Sequence, residues 1–427
     1  MARDAFDPYA GQILNRGLGP VLSREQMAKR LTYLPPLPPP MDGIPVHIRL
    51  HLLMAIRDLH WPDLEGVRVC ETVDLMIRQG YRYRDPTASE TWGIISRDSL
   101  TPIRPRTPEM ASVVVGHSGV GKTQAITKSF DCYERQIVVH EEFPRLIGPH
   151  YQMIYLSASV PSSGRLEDLA ANLMIAWDMA TSEALPEMAP RFARTLDRAR
   201  RDGPRMMDEW RQVAAGHFLG VAHLDEVQNF FKLPSLERRR SSKAGDGLPE
   251  LSVIDDQALK HVLTMVGSWR IPFTLSGTPD GVGALTRRLS NVERFVANGG
   301  YHRMPEYPNA QAPGFVVLID ILGRYQYVKK RISVDDELRQ VIFDLTAGIH
   351  RLIIALWIAA HRVAFERRDD DLRISDFKKA AGTYLAPVAP AVAALLSKDP
   401  IQMRLYEDLM PRDDGFWKTF WGQISRA

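Results

Sequence analysis

The sequence has few cysteines and no long apolar run, and its charges nearly cancel. Its two cysteines, Cys70 and Cys132, cannot build a disulfide framework or a four-cysteine zinc site. No apolar run approaches the about 20 residues that cross a bilayer, and the first residues lack the basic and apolar segments of a signal peptide. The formal net charge of +3 means that contact with a polyanion must come from local clusters. We therefore expect a cytoplasmic chain with no membrane contact.

The overall composition is that of ordinary globular domains, with 45% hydrophobic and 25% charged residues. Composition changes at the proline-rich segment 34–40 and again at 101–108 suggest domain boundaries. We expect an N-terminal extension with a proline-rich arm at 1–44, a small helical region at 45–100, an α/β core at 101–332, and a helical lid and tail at 333–427.

The central region contains short apolar runs separated by helix-length stretches. Apolar strands without alternation are typical of a parallel sheet that helices cover on both faces. The sequence therefore predicts an α/β fold with a parallel sheet. The candidate strands are Val113–Val115, Met153–Leu156, His217–Leu224 and Ile271–Leu275.

A phosphate-binding loop is predicted at Gly116–Thr123, which reads G-H-S-G-V-G-K-T between a strand and a helix. Its glycines let backbone N–H groups face phosphate oxygens, Lys122 places a charge near the β and γ phosphates, and Thr123 offers a hydroxyl to Mg²⁺. A glycine-rich turn with no ligand is the alternative, and the strand–loop–helix order favours ATP.

A pair of carboxylates, Asp225 and Glu226, follows the third strand candidate. At the carboxyl end of a buried parallel strand they fit a Walker B pair, with Asp225 toward the metal and Glu226 polarising the attacking water. Solvated acids at a strand end are the alternative. The predicted metal ligands are Thr123 and Asp225, and the residues predicted to bind the nucleotide are Gly116, Ser118, Gly119, Val120, Gly121, Lys122, Thr123 and Asp225.

Two polar residues are candidates for sensing the γ-phosphate. The fourth strand candidate is followed by Ser276-Gly277-Thr278-Pro279, and we select Thr278 over Ser276. Arg351 lies near the start of a predicted lid helix, from which it could reach the phosphates. An arginine on a solvated helix face is the alternative for Arg351.

The order of these motifs resembles that of AAA+ ATPases. The boxes Asp225-Glu226-Val227-Gln228-Asn229 and Gly277-Thr278-Pro279 are similar to the D-E-x-Q-N and G-T-P boxes of the TnsC/TniB family of transposon-encoded AAA+ regulators. The segment Gly80–Pro86, G-Y-R-Y-R-D-P, is similar to the G-Y-x-x-R-[ND]-P segment of that family. The resemblance spans roughly residues 45–412, whereas the basic loop 237–247 and the proline-rich arm have no counterpart in it.

The resemblance implies an AAA+ core that uses ATP and Mg²⁺ and assembles as rings or filaments on duplex DNA, linking a target-selection protein to a transposase subunit. A neighbouring subunit would supply Arg294 to the γ-phosphate, with Arg287 and Arg288 as alternatives. DNA contacts would come from Arg165 and, to a lesser extent, Ser162 and Ser163. A second basic strip at 191–205 contains interspersed acids and fits a solvated helix face equally well.

Other functions remain open at this point. A helicase-loader or replication-initiator-like ATPase would share the AAA+ order of motifs, and a P-loop kinase or a slowly hydrolysing nucleotide-gated scaffold would share the phosphate loop. The D-E-x-Q-N and G-T-P boxes favour a transposition regulator with slow ATP hydrolysis.

Overall fold

The fold was analysed in a computed structural model that describes residues 7–96, 110–198, 202–232, 252–253, 261, 270–279, 281–282 and 300–403. The strands in these residues are Ala111–Val115 (β1), Ile137–His140 (β2), His150–Met153 (β3), Tyr155–Ser159 (β4), Val221–Asp225 (β5), Phe231–Lys232 (β6), Ser252–Val253 (β7), Phe273–Gly277 (β8) and Tyr301–Arg303 (β9).

Five of these strands form one parallel sheet with the order β4-β5-β8-β1-β9. Every residue of β1, β5 and β8 is buried, the polar Ser112, His223, Thr274 and Ser276 included, as expected of strands that are covered on both faces. The prediction of an α/β fold with a parallel sheet is confirmed. Strand β1 lies between β8 and β9. The connection after β1 leads to β4 on one side of it, whereas the connection after β8 leads to β9 on the other side. The carboxyl ends of strands at such a reversal are the usual place of a ligand site.

Helices cover the sheet and form the two ends of the described chain. Those before the sheet are Ile13–Arg16 (α1), Arg24–Leu31 (α2), Val46–Leu53 (α3), Leu64–Arg82 (α4) and Ser89–Ile95 (α5). Those between strands are Lys122–Phe130 (α6), Leu166–Ala184 (α7), Ala193–Leu196 (α8) and Gly203–Gly216 (α9). Those after the sheet are Pro313–Gly323 (α10), Asp336–Thr346 (α11), His350–Phe365 (α12), Ile374–Thr383 (α13), Ala389–Ser397 (α14) and Pro400–Met403 (α15).

Each face of the sheet has its own apolar core. Helices α7 and α9 cover one face, where Trp177 and Trp210 are completely buried. Helices α4 and α6 cover the other face, where Val114 packs with Ile77 and Ile126. Because successive strand residues point to opposite faces, Val113 and Val115 belong to the first core and Val114 to the second.

A third core joins the N-terminal region to the C-terminal helices. Leu53 and Ile56 pack with Trp357 of α12 and with residues of α10, α11 and α13. Helix α10 belongs to this core although it precedes the expected lid boundary at 332/333, and the domain division stays a prediction. Across the described ranges, no single helix is long and apolar enough to cross a membrane, and two bent helix pairs pass only by length and composition.

The expectation of one strand at Met153–Leu156 was wrong. Strand β3 ends at Met153 after pairing antiparallel with β2, and β4 starts at Tyr155 and pairs parallel with β5. The connecting Ile154 is fully buried, so the apolar run continues across the boundary between the two strands. Because Met153, Ile154 and Leu156 are all buried, the apolar run conceals this change of sheet in the sequence.

Candidate functional site

The predicted phosphate loop joins the carboxyl end of β1 to the first turn of α6, which begins at Lys122. Gly119 and Gly121 have φ values of 85° and 104°, a backbone region that favours glycine. A Cβ atom at Gly116 would lie 2.4 Å from the Met304 carbonyl oxygen, so the close approach of these backbones also requires glycine. The Lys122 ammonium donates hydrogen bonds to the carbonyls of Gly116 at 2.8 Å and His117 at 2.9 Å.

The two predicted metal ligands are in direct contact. Thr123 Oγ1 donates a hydrogen bond to Asp225 Oδ2 at 2.7 Å, which joins α6 to the carboxyl end of β5. Burial acts to raise the pKa of Asp225, but hydrogen bonds from Ser276 and Thr123 outweigh it and lower this pKa below its ordinary value. Asp225 is therefore an ionised acceptor at neutral pH, as a cation ligand must be.

Hydrogen bonds connect Glu226 to the end of β8. Glu226 has a left-handed backbone, and its carboxylate accepts a hydrogen bond from the Gln228 side-chain amide. The carbonyl oxygen of that amide accepts a hydrogen bond from the Thr278 backbone N–H at 3.2 Å. Thr278 Oγ1 is buried with no hydrogen-bond partner within the described chain.

The C-terminal helices contact the phosphate loop directly. The Arg351 backbone N–H donates to the Gly119 carbonyl at 3.0 Å, and a Cβ atom at Gly119 would lie 3.1 Å from Arg351 Cβ. Together they border a cavity of about 1080 Å³, also lined by Lys122, Asp225 and Glu226. Neither Ser276 nor Thr278 is among the residues that line this cavity.

An acidic partner of the loop was not predicted. His117 Nδ1 lies 3.0 Å from Glu306 Oε2, and Glu306 follows β9. Burial acts to raise the pKa of Glu306, but the hydrogen bond and charge of His117 prevail and lower it to about 2. No local motif marks Glu306, because its position beside the loop depends on β9 pairing with β1.

A hydrogen bond between two buried residues near Asp225, Ser276 and His223, was also not predicted from the sequence. Ser276 donates a hydrogen bond to Asp225 Oδ1, and His223 Nε2 lies 2.8 Å from Ser276 Oγ. Burial lowers the pKa of His223 to about 4, so its imidazole is neutral at pH 7. A histidine within an apolar strand, two residues before the carboxylate on the same face, was the available signal.

The predicted DNA-contacting residues lie elsewhere, at the start of α7. Arg165 is the residue before the helix, its side chain is 67% exposed, and its nearest acid is Glu167 at 3.8 Å. Ser163 Oγ donates to Asp168 Oδ2 at 2.6 Å and accepts from the Arg165 backbone N–H at 3.4 Å. Ser162 is exposed. Arg294 and its alternatives, Arg287 and Arg288, lie outside the described residues, as does the basic loop 237–247.

The residues of this site fit a nucleotide with Mg²⁺. Within the described ranges, no three or more His, Cys, Asp or Glu side chains are grouped so that they could hold a metal by themselves. Mg²⁺ commonly takes one or two protein oxygens together with phosphates and water. The Thr123 hydroxyl and the Asp225 carboxylate supply such oxygens, and the glycines keep the loop open where side chains would fill it.

The strand–loop–helix geometry and the contact between Thr123 and Asp225 agree with a comparison against known protein families. Residues 106–283 match an AAA domain. The matched residues include the predicted phosphate loop, Asp225, Glu226 and Thr278. The comparison with curated protein sequences gave no match.

Several solved structures also resemble the chain. The Walker-type ATPase PABY2304 of Pyrococcus abyssi has 12% identity and a TM-score of 0.36, with 68% of this chain and 71% of that one covered. The Aeropyrum pernix ORC2 protein in ADPNP and ADP complexes has 13% identity and a TM-score of 0.38, with coverage of 75% and 80%. A RuvB mutant of Thermotoga maritima has 14% identity and a TM-score of 0.37, with coverage of 81% and 85%. Because these scores are below 0.5, they carry no argument, and the similarity to an AAA domain depends on the family match at residues 106–283.

Proposed function

We propose that this chain binds and hydrolyses ATP with Mg²⁺ in its AAA domain. The observation that carries the proposal is the hydrogen bond between Thr123 and Asp225, which joins the phosphate loop to the predicted Walker B carboxylate. The cavity beside it is also lined by Leu59, Trp61 and Tyr307, which offer apolar and aromatic surface for a nucleobase.

Each residue has a distinct role in this proposal. Mg²⁺ would supply charge neutralisation at the phosphates. Lys122 adds the side-chain cation of the loop, and Glu226 orients and deprotonates the attacking water. The Thr278 backbone N–H bonds the Gln228 amide that also bonds Glu226, and Arg351 approaches from the C-terminal helices.

The proposal is tested by titrating the chain with a fluorescent ATP analogue and measuring phosphate release from ATP. We expect saturable binding that Mg²⁺ strengthens and slow phosphate release above background. Lys128→Ala is a matched control for Lys122→Ala, because Lys128 lies on the same helix and its ammonium pairs with Asp131. Binding that is equal in the wild type and in Lys122→Ala would refute the site.

We further propose that the chain is an AAA+ regulator of transposition that assembles on duplex DNA. The support is the resemblance in three sequence boxes, and side chains within those boxes make buried contacts. Arg84 Nη1, in the segment Gly80–Pro86, donates to the Leu219 carbonyl at 2.7 Å, just before β5. The Asn229 side chain, in the D-E-x-Q-N box, donates to the Val160 carbonyl at 2.9 Å, just after β4.

These contacts give a physical route between the ATP site and the candidate DNA loop. The Val160 backbone N–H also donates to the Asp225 carbonyl at 2.9 Å, so residue 160 is held by both Asp225 and Asn229. Pro161 and the candidate DNA loop of residues 162–165 follow, in which Ser162 and Arg165 are exposed. A change at the end of β5 would therefore move the start of the candidate DNA loop. Separately, Arg294 of a neighbouring subunit is the proposed cation at the γ-phosphate.

Electron microscopy of the chain with ATP and duplex DNA tests assembly. We expect rings or filaments that require both ligands and are absent for Lys122→Ala, while the Lys128→Ala control assembles normally. Particles that remain monomeric with ATP and DNA would contradict the proposal. Arg294→Ala should bind ATP but lose hydrolysis in the assembly, and normal turnover there would transfer the role to Arg288.

Partner capture separates the leading function from the alternative, a helicase-loader or replication-initiator-like ATPase. The transposition proposal expects a purified transposase subunit and a target-selection protein to bind the ATP-loaded assembly. Binding of a hexameric helicase without these partners would favour the alternative.

A further inference from the structure

A chain of hydrogen bonds with a buried centre crosses three neighbouring strands and ends at the predicted phosphate loop. Ser157 Oγ of β4 lies 2.9 Å from His223 Nδ1, and His223 Nε2 lies 2.8 Å from Ser276 Oγ of β8. Ser276 Oγ then bonds Asp225 Oδ1, and Asp225 Oδ2 bonds Thr123. His223 and Ser276 are fully buried, so no solvent competes for the bond between them, whereas Ser157 and Thr123 at the two ends of the chain are exposed.

Counting protons along this chain fixes its direction. Ser276 Oγ donates to Asp225 Oδ1, so the single hydroxyl proton of Ser276 points to Asp225. Ser276 must therefore accept from His223, which places the imidazole proton on Nε2. The protons on His223 Nε2 and on Ser276 Oγ therefore both point toward Asp225.

We propose that Ser276 and His223 are positioning residues that orient the Asp225 carboxylate for Mg²⁺. Ser276 binds Oδ1 and leaves Oδ2 directed to Thr123, the other proposed ligand. His223 supplies the proton that Ser276 accepts, and this restricts the Ser276 hydroxyl to the direction of Asp225. The inference rests on the proposed ATP and Mg²⁺ site and adds to it residues that touch neither ligand.

A structural role in joining strands is the competing explanation, because buried polar groups also require partners in any core. Without Ser276, Oδ1 of Asp225 would retain the Glu226 backbone N–H at 2.9 Å. The carboxylate would stay ionisable but would lose a restraint on its plane. Loss of a hydrogen-bond partner of a metal ligand typically lowers metal affinity by roughly 10- to 100-fold.

The test measures the Kd of a slowly hydrolysed fluorescent ATP analogue in Mg²⁺ and in EDTA. The ratio of these two values reports how strongly the metal promotes binding. For Ser276→Ala we expect this ratio to fall roughly 10- to 100-fold, with the Kd in EDTA unchanged. Electron paramagnetic resonance of Mn²⁺ with the analogue should give a correspondingly weaker bound signal, independently of turnover.

Ser112→Ala is the matched control. Ser112 is also a buried serine of the sheet, and its hydroxyl bonds Thr274 Oγ1 at 2.9 Å. In a urea titration, Ser112→Ala should lose about as much unfolding free energy as Ser276→Ala. Its ratio of the Kd in EDTA to the Kd in Mg²⁺ should stay at the wild-type value. A structural role for Ser276 predicts that Ser112→Ala and Ser276→Ala behave alike in both measurements.

Substitutions of His223 test the second member of the chain. His223→Leu should lower the metal ratio in the same direction as Ser276→Ala, and His223→Gln should restore much of it, because a glutamine amide can donate to Ser276. If His223→Leu does not fold, Ser276→Ala and His223→Gln still decide the matter.

Two outcomes overturn different statements. Wild-type metal dependence in Ser276→Ala overturns the positioning inference and leaves the ATP site intact. Absence of metal-promoted ATP binding in the wild-type chain overturns the proposed site and the inference with it.

Discussion

The proposed ATP site and the candidate DNA loop of residues 162–165 differ in how their side chains are held. At the ATP site, Asp225 is bonded by side chains from α6 and β8, and His223 is bonded from β4 and β8. In the loop, Ser163 bonds Asp168 within the same helix start, and Arg165 extends into solvent. The first group depends on the sheet, whereas the second is organised by its own few residues.

This difference indicates which substitutions should alter metal binding or turnover and which should alter only contact with DNA. A side chain held from several elements cannot move without changing its neighbours, so its loss should alter metal binding or turnover. An exposed side chain held by local bonds can be removed with little effect on the fold. Substitutions at Glu226, Lys122, Arg165 and Glu306 probe this contrast, from the largest expected effect to the smallest.

Replacing the predicted base should give the largest effect. Glu226→Gln keeps the shape of the side chain but cannot accept a proton, so turnover should fall roughly 100- to 10,000-fold while ATP binding stays near wild type. Phosphate release and analogue binding measure the two properties. Exposed Glu90→Gln is the control, and wild-type turnover in Glu226→Gln would remove Glu226 from the mechanism.

Removing the loop cation should come next. Lys122→Ala should weaken ATP binding roughly 10- to 100-fold, because a hydrogen bond to a charged group contributes about 1.5–3 kcal/mol. Isothermal titration calorimetry measures this loss, with Lys128→Ala as the control. An unchanged Kd would show that the Lys122 ammonium does not meet the phosphates.

Removing the exposed arginine of the loop should spare the ATP site. Arg165→Ala should weaken duplex binding about equally across sequences and reduce the salt slope by about one unit for each phosphate that the arginine neutralises in the wild type. Its stability should change by no more than about 0.5 kcal/mol. Fluorescence anisotropy at two salt concentrations measures the effect.

Arg194→Ala is the comparison for Arg165→Ala, since Arg194 is also exposed and belongs to the basic strip 191–205. If only Arg194→Ala lowers DNA affinity and salt slope, the strip contacts DNA and the loop does not.

The smallest effect concerns pH and the partner of the phosphate loop. The pKa of Glu306 is lowered from 4.5 to about 2, so its ionised form stabilises the fold above about pH 4.5. This contribution should disappear as pH falls from 4.5 toward 2, because protonated Glu306 loses its interaction with His117. Urea unfolding of wild type and Glu306→Gln across this range should give curves that converge in acid, and parallel curves would contradict the assignment.

Much of the site was predictable because the phosphate loop and the Walker B pair are local patterns. Gly116–Thr123 requires glycines at fixed offsets, and Asp225-Glu226 directly follows an apolar strand. The contact between Thr123 and Asp225 then results from the parallel sheet, since carboxyl ends of parallel strands meet at one edge. Glu306 was not predictable in this way, because nothing in its own segment indicates β9 beside β1.

The choice between Ser276 and Thr278 shows the same limit within one segment. Both are polar residues near the end of a strand, and the sequence gives no bond partner for either. Only the packed sheet places Ser276 against Asp225 and leaves Thr278 Oγ1 without a partner among the described residues.

The sequence by itself determined the α/β class and the glycine pattern of the predicted phosphate loop, because glycine spacing and short apolar runs are local requirements of backbone conformation and burial. Tertiary structure alone decided that the apolar run at 153–156 divides between two sheets, and that residues 53–56 share a core with α12. It also decided that Ser157, His223 and Ser276 form one chain to Asp225. These results depend on which strands become neighbours, and hydrogen bonds between distant residues exist only after that pairing is made.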